Sequence, residues 1–244
     1  MPKKICIVIP TRFDSSRFHG KVFANILGKP LIKRVWDQCI KAVNKEDVYI
    51  LTPDKIIKEY CEKNNMKFIM TSIDCQTGTD RIAEALDFLK NNYKMIINVQ
   101  GDEPLIDPED ILKVLKSVTD LNFVYCGMSK IDKEEEFSNP NIIKIITDVN
   151  NNLLYASRAP IPFSKNNTLH EGYKQVCIYI YSKSNLSIFK KLKRGPNEKI
   201  EDIEILRFIE NSIKVKMIEV SNSSVSVDIP EDIIKVENIL RKRM

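Results

Sequence analysis

Glycine is scarce in this chain, seven of 244 residues, and two common phosphate cradles are missing with it. A dinucleotide-binding turn needs G-x-G-x-x-G so that the backbone can approach a pyrophosphate, and a P-loop needs its own glycines and lysine. Neither pattern occurs, so neither a nicotinamide dehydrogenase nor a P-loop enzyme is expected. Histidine is rarer still: His19 and His170 are the two in the chain, and neither has a catalytic setting. The cysteines Cys6, Cys39, Cys61, Cys75, Cys126 and Cys177 are scattered, with no close pair to suggest a zinc knuckle or a redox dithiol. Most read as small buried hydrophobes. Charge of one sign is also lacking, since 38 Lys and Arg face 33 Asp and Glu for a net +5. With no basic tail and no arginine patch interleaved with aromatics, nucleic acid is not an expected partner. Basic residues gathered around an anionic ligand would account for the surplus. No segment approaches the ~20 apolar residues of a membrane span. The apolar run after the first two lysines ends at Pro10 and Arg12, too soon for a signal-peptide core. A cytoplasmic protein with no membrane partner is the expectation.

What is present is a regular alternation of strand and helix patterns. Ile5 to Ile9 reads as a strand buried on both faces, and Ile32, Val35, Trp36 and Ile40 recur at helical spacing. Val48 to Leu51, Phe68 to Met70 and Met95 to Val99 read as further strands, with a helix marked by Ile57 and Cys61 after the first of them. Thr79 is read as the N-cap of the next helix, and Asp107 with Pro108 starts another. The pattern predicts an α/β fold with a doubly wound, mainly parallel, Rossmann-like sheet whose ligands bind beyond the carboxyl ends of the strands. From about residue 123 it loosens. Val124 to Met128, Ile142 to Thr147, Val176 to Tyr181 and Val215 to Val220 read as strands, with helices over about 199–212 and from Pro230. The Asn-rich stretch before Leu153 reads as a hairpin turn. One domain over 1–244 carrying an insertion is expected.

The loop after the first strand, VIPTRFDSSRFHGK, crowds Arg12, Arg17 and Lys21 beside Ser15 and Ser16. Arginine forks bind phosphate oxygens bidentately, hydroxyls donate to them, and lysine adds a point charge. Such a set suits a triphosphate, which in turn calls for a divalent cation; Mg²⁺ takes one or two carboxylates plus phosphates and water. Asp102, in the turn Gln100-Gly101-Asp102-Glu103-Pro104, ends a strand and would face the basic loop. Asp228, just before the last helix, is a second candidate. Either aspartate also reads as a plain turn or N-cap residue.

The stretches PTRFDSSRFHGK, MTSIDCQTGTDRIAE, NVQGDEPLI, NPNIIKIITD, LLYASRAPIPF, CIYIY, EDIEILR and VDIPEDI occur in an order that resembles the 3-deoxy-manno-octulosonate (Kdo) cytidylyltransferase family, over nearly the whole chain. The resemblance implies a nucleotidyltransferase that moves CMP from CTP to the anomeric hydroxyl of an acidic sugar, in lipopolysaccharide biosynthesis. It implies a nucleotide-diphospho-sugar-transferase type of fold with a nucleotide-binding half over about 1–122 and a smaller inserted α+β region over about 153–192 for acceptor binding and dimer contact, Mg²⁺ as cofactor and a homodimer. It places Arg12, Lys21 and Asp102 in catalysis, Asp102 and Asp228 on the metal, and Pro10, Thr11, Arg12, Ser16, Arg17, Lys21, Thr77, Gly78, Arg81 and Gln100 on CTP. On the sugar side it points to Arg158, Gln175, Tyr179, Glu201 and Glu204. Without it, Arg158 reads equally as a surface ion pair and the glutamates as a solvated helix face.

The chain departs from the family pattern at three places. Gln175 stands where a histidine is usual before the Cys177-Ile178-Tyr179 segment, Ile205 where a glutamine is usual, and Cys75 where a histidine is usual. Changing donors in a site built to hydrogen-bond a hydroxyl shifts discrimination. A related ulosonic acid, an amino-substituted Kdo or a sialic-type nonulosonic acid is therefore an alternative acceptor. A CTP-binding relative without catalysis is the alternative of another class.

Overall fold

The apolar run Ile5–Pro10 forms β1, and its four central residues are buried, as a strand covered on both faces requires. A computed structural model of the chain describes residues 5–15, 17–89, 93–165 and 172–243. These fall into two compact units, residues 1–112 with 223–244, and residues 113–222.

In the first unit the opening loop follows β1 and ends in a single 3₁₀ turn, Lys21–Phe23. A small hairpin of β2 (Asn25–Ile26) and β3 (Lys29–Pro30) leads into α1 (Leu31–Ala42). Then come β4 (Val48–Thr52), α2 (Lys55–Lys63), β5 (Phe68–Met70), α3 (Gly78–Ala85) and β6 (Met95–Val99). The strands lie in the order β6-β1-β4-β5 and every pairing is parallel, with Ile7 opposite both Val48 and Ile97. The chain thus moves outward from β1 on one side and returns to β6 on the other. Their carboxyl ends flank a topological switch point, where open α/β sheets bind ligands.

α4 (Pro108–Lys116) follows β6 and spans the boundary after residue 112, and the C-terminal helix α9 (Pro230–Arg243) belongs to the first unit. Val236 of α9 and Val227 just before it are buried with Ile26, Leu31 and Leu105, and Phe18 of the opening loop packs on the same cluster. Burial of these side chains, each worth about 1.5–3 kcal/mol, brings the residue 227–228 segment to the opening loop.

The second unit contains β7 (Val124–Lys130), α5 (Glu134–Ser138), β8 (Lys144–Thr147), β9 (Leu153–Ser157) and β10 (Tyr173–Ser182). It continues with α6 (Lys183–Phe189), α7 (Pro196–Glu201), α8 (Leu206–Glu210) and β11 (Val215–Glu219). β11 runs parallel to β7, whereas β7–β10, β10–β8 and β8–β9 are antiparallel. The Asn-rich turn joins β8 to β9 as expected: Asp148 Oδ1 accepts from the amides of Asn150 and Asn152, both at 2.8 Å. The expected insertion lies wholly within this unit.

Two local expectations are corrected. The N-cap of α3 is Thr77, not Thr79: Thr77 and Asp80 form a reciprocal capping box, and Thr79 is buried inside the first turn. The single helix expected over 199–212 is two, α7 and α8, because Asp202 takes a left-handed conformation at φ 53°. Its break aims main-chain carbonyls at Arg158, a long-range partner that helical periodicity does not encode.

Candidate active site

Two backbone anchors fix the opening loop before any side chain is considered. The Thr11 amide donates to Leu51 O at 2.8 Å, and the Phe13 amide donates to Asp54 Oδ2 at 2.7 Å. Gly20, at φ +68°, turns the chain back so that its amide reaches Phe13 O at 3.1 Å. A left-handed turn there suits glycine and delivers Lys21 inward. The other wall is Gln100–Asp102 after β6. Gly101 lies so close to Thr11 that an added Cβ would sit 2.5 Å from Thr11 Cγ2.

Between these walls four charged side chains converge. Lys21 Nζ lies 2.7 Å from Asp102 Oδ2, donates to Val227 O at 3.1 Å and stands 3.9 Å from Asp228 Oδ1. Arg17 Nη2 pairs with the same Asp228 oxygen at 2.8 Å. Asp228 is held against Asp102 by a main-chain bond from the Val227 amide to Asp102 O at 2.9 Å. Burial, and then the Asp102 charge, raise the Asp228 pKa above the usual carboxylate value, against the opposing pull of Arg17 and Lys21. Two crowded carboxylates under strain of like charge are a site that favours a bound cation. Among the described residues no group of three or more His, Cys, Asp or Glu could hold a metal ion. Two hard oxygen donors that leave the remaining positions to phosphates and water fit Mg²⁺.

Arg81 is buried on α3 and donates through Nη1 to Thr71 Oγ1 and, at 3.1 Å, to Ser72 O. Burial lowers its pKa; neighbouring acids oppose that, and the positive charge of exposed Arg12 adds to it. Pro10 and Thr11 end β1 and follow it, Gln100 follows β6, Thr77 and Gly78 open α3, and Ser16 lies outside the described residues. Cys75 Sγ donates to Glu84 Oε2 at 3.0 Å, and burial holds its thiol up at about 12, so it is no nucleophile.

Asn98 was missed by sequence reasoning. It lies opposite Val8 in the β6–β1 ladder, two residues before Gln100, and is buried with neither amide atom hydrogen-bonded among the described residues. Thr11 Oγ1 is buried and unpartnered in the same sense. A polar residue inside the apolar run MIINV was the available signal, since buried polar groups ordinarily find partners.

The sugar-side candidates all lie in the second unit. Arg158 Nε donates to Glu201 O at 2.7 Å, Nη1 to Pro140 O at 3.0 Å and Nη2 to Asp202 O at 3.1 Å. Main-chain carbonyls therefore set the aim of its guanidinium. Glu201 is turned toward the same residue: its Oε1 accepts from Ser157 Oγ at 2.5 Å and its Oε2 from the Arg158 amide at 2.9 Å. Gln175 Nε2 lies 3.7 Å from Cys126 Sγ. Tyr179 is buried, its ring stacked on Tyr181 at 6.0 Å. Burial above all, then the neighbouring Cys177 and Cys126, holds the Tyr179 phenol well above its usual pKa, so it stays protonated and can donate. The structure thus joins Arg158 to Glu201. Ile205 is buried.

The model for the family described as cytidylyltransferase matches residues 6–218. The chain is 38% identical over 242 residues to a 3-deoxy-manno-octulosonate cytidylyltransferase of Desulfosudis oleivorans, covering 97% of each chain. It is 37% identical over 239 residues to an 8-amino-3,8-dideoxy-manno-octulosonate cytidylyltransferase of Shewanella frigidimarina, covering 96% of this chain and 97% of that one. A solved CMP:2-keto-3-deoxy-manno-octonic acid synthetase, complexed with CTP, superposes with a TM-score of 0.88 at 31% identity, over 99% of this chain and 100% of that one.

Proposed function

The chain belongs to the cytidylyltransferase family, and from that premise we propose that it transfers CMP from CTP to the anomeric hydroxyl of Kdo and releases pyrophosphate. The observation that carries the reading is the convergence of Lys21, Arg17, Asp102 and Asp228 at the switch point beside β1 and β6. The sugar hydroxyl oxygen gives up its proton to solvent and forms a bond to the α-phosphorus, and the bond from that phosphorus to the bridging oxygen of the leaving pyrophosphate breaks. Negative charge grows on the phosphoryl oxygens and on the leaving group, so positioning and neutralisation dominate the catalysis.

Arg12, Arg17 and Lys21 hold the triphosphate. Lys21 is half-buried and already oriented by Asp102 and Val227 O, so it meets the developing charge without reorganising. Asp102 and Asp228 would hold Mg²⁺, which when bound neutralises triphosphate and pyrophosphate oxygens. Pro10, Thr11, Thr77, Gly78, Arg81 and Gln100 serve the nucleotide side, with Ser16 as a further donor. On the acceptor side, Arg158 meets the sugar carboxylate, and Gln175, Tyr179 and Glu204 meet its hydroxyls. Glu201 acts by holding Arg158. A homodimer in the cytoplasm, feeding lipopolysaccharide assembly, completes the reading. Apolar Leu154, Phe163 and Ile200 are exposed on the second unit, 56%, 86% and 83% respectively, and support an interface there. No helix among the described residues is long and apolar enough to cross a membrane.

The 8-amino sugar is a second acceptor reading, supported by the near-equal similarity to the Shewanella enzyme and by Gln175 and Ile205 in the altered positions. Purified protein incubated with CTP, Mg²⁺ and each acid separately tests both. A higher kcat/KM for Kdo is expected. Preference for the 8-amino sugar selects the second reading, and no pyrophosphate with any ulosonic acid overturns the transferase reading.

A further inference from the structure

Lys144 opens β8 and is fully buried, a rare place for a lysine. Its ammonium is held by main-chain carbonyls, donating to Asn139 O at 2.8 Å and Ile142 O at 2.6 Å. These two carbonyls flank Pro140, whose own carbonyl accepts from Arg158 Nη1 at 3.0 Å. The next residue along, Ile143, accepts from the Gln175 amide at 2.9 Å. The turn is also tied internally, by the Ile142 amide on Asn139 O at 3.1 Å and the Asn141 amide on Asn139 Oδ1 at 2.9 Å. In the β8–β9 ladder Lys144 stands opposite Ser157, the residue whose hydroxyl holds Glu201.

The charge is unfavourable where it sits. Burial, and then the neighbouring Arg158, lower the Lys144 pKa to about 8. A methionine would fill a similar volume without a desolvated ammonium. The hydrogen bonds are what a methionine could not supply.

We propose that Lys144 is a positioning residue for the acceptor side: it locks the 139–143 turn and, through Pro140 O and Ile143 O, sets the aim of Arg158 and the placement of Gln175. The proposal rests on the reading of Arg158 and Gln175 as acceptor contacts. Lys144 itself touches no substrate in it.

Lys144→Met and Lys144→Gln are compared with wild type for KM of Kdo, KM of CTP and kcat, alongside amide hydrogen exchange. Loss of the two positioning bonds is expected to raise the Kdo KM of Lys144→Met about tenfold or more. The CTP KM should stay within about twofold, since uniform binding is lost on one side only. Exchange at Ile142 and Gln175 should quicken, and the glutamine amide should recover part of both effects. Parallel rises in both KM values would overturn the proposal, as would an unchanged Kdo KM in folded protein. If Lys144→Met does not fold, Lys144→Gln carries the same measurements. Wild type that does not use Kdo would refute the acceptor reading instead, and the exchange data would still decide whether Lys144 locks the turn.

Discussion

Lys21→Met removes the ammonium at the centre of the charge cluster while keeping most of the side chain, and it has two separable consequences. The first is kinetic. Loss of one preorganised donor to a developing oxyanion costs about 10²–10³ in kcat, or about 2.7–4 kcal/mol. The second is structural. Lys21 and Asp102 side chains are 16% and 20% exposed and 2.7 Å apart, so removing the cation strands Asp102 beside Asp228. Breaking a fully buried pair costs about 3–5 kcal/mol, and solvent reaching this one reduces that to roughly 1–3 kcal/mol. Even a domain of only about 5 kcal/mol stability would keep about 2 kcal/mol and remain more than roughly 95% folded. A hundredfold loss of rate therefore cannot come from unfolding. Pyrophosphate release at saturating CTP and Kdo gives the rate, and urea denaturation gives the stability. The double variant Lys21→Met with Asp102→Asn should regain stability but not activity, because the stranded charge is gone and the donor is still missing. Folded Lys21→Met with kcat within threefold of wild type would refute the reasoning.

Asp228→Asn is expected to raise the stability of the unliganded protein at neutral pH, because burial and Asp102 hold the Asp228 pKa above its unfolded value. The folded state then binds this proton more tightly than the unfolded state, so the wild type loses stability relative to the variant as pH rises through the carboxylate range. Denaturation at several pH values checks this, and activity should show a weakened Mg²⁺ response. Gly101→Ala should destabilise by about 1–3 kcal/mol, since its Cβ would lie 2.5 Å from Thr11 Cγ2; Thr11→Ser in the same chain, which removes that methyl, should restore part of the loss. Lys144 titrates at about 8 in the folded protein and at its ordinary, higher value when unfolded. Between those values the unfolded chain binds the extra proton, so wild-type stability should rise relative to Lys144→Met as pH goes from about 8 to 10. A constant difference would contradict it.

The fold of the first unit was open to sequence reading because buried parallel strands and amphipathic helices write their periods locally. Phe68–Met70 and Met95–Val99 are strands over the expected residues. Where an element depends on distant partners the period misleads. Asp202 breaks the expected helix while its carbonyl accepts from Arg158, and Thr77, rather than Thr79, caps α3 through its bond to Asp80.

By itself the sequence determined the chemistry available: arginines, a lysine and hydroxyls in one loop, and aspartates after two turns, with a family resemblance along the chain. Only the tertiary structure decided which of these meet. Asp228 joins Asp102 and Lys21 because α9 and the segment before it bury apolar side chains against the opening loop, and because the Val227 amide bonds Asp102 O. Glu201 turns to Ser157 and Arg158, and Lys144 is buried under the turn that faces Arg158. Partners of this kind are fixed by main-chain groups far away in sequence. Residue type names a donor or an acceptor, and the closing of the chain assigns its mate.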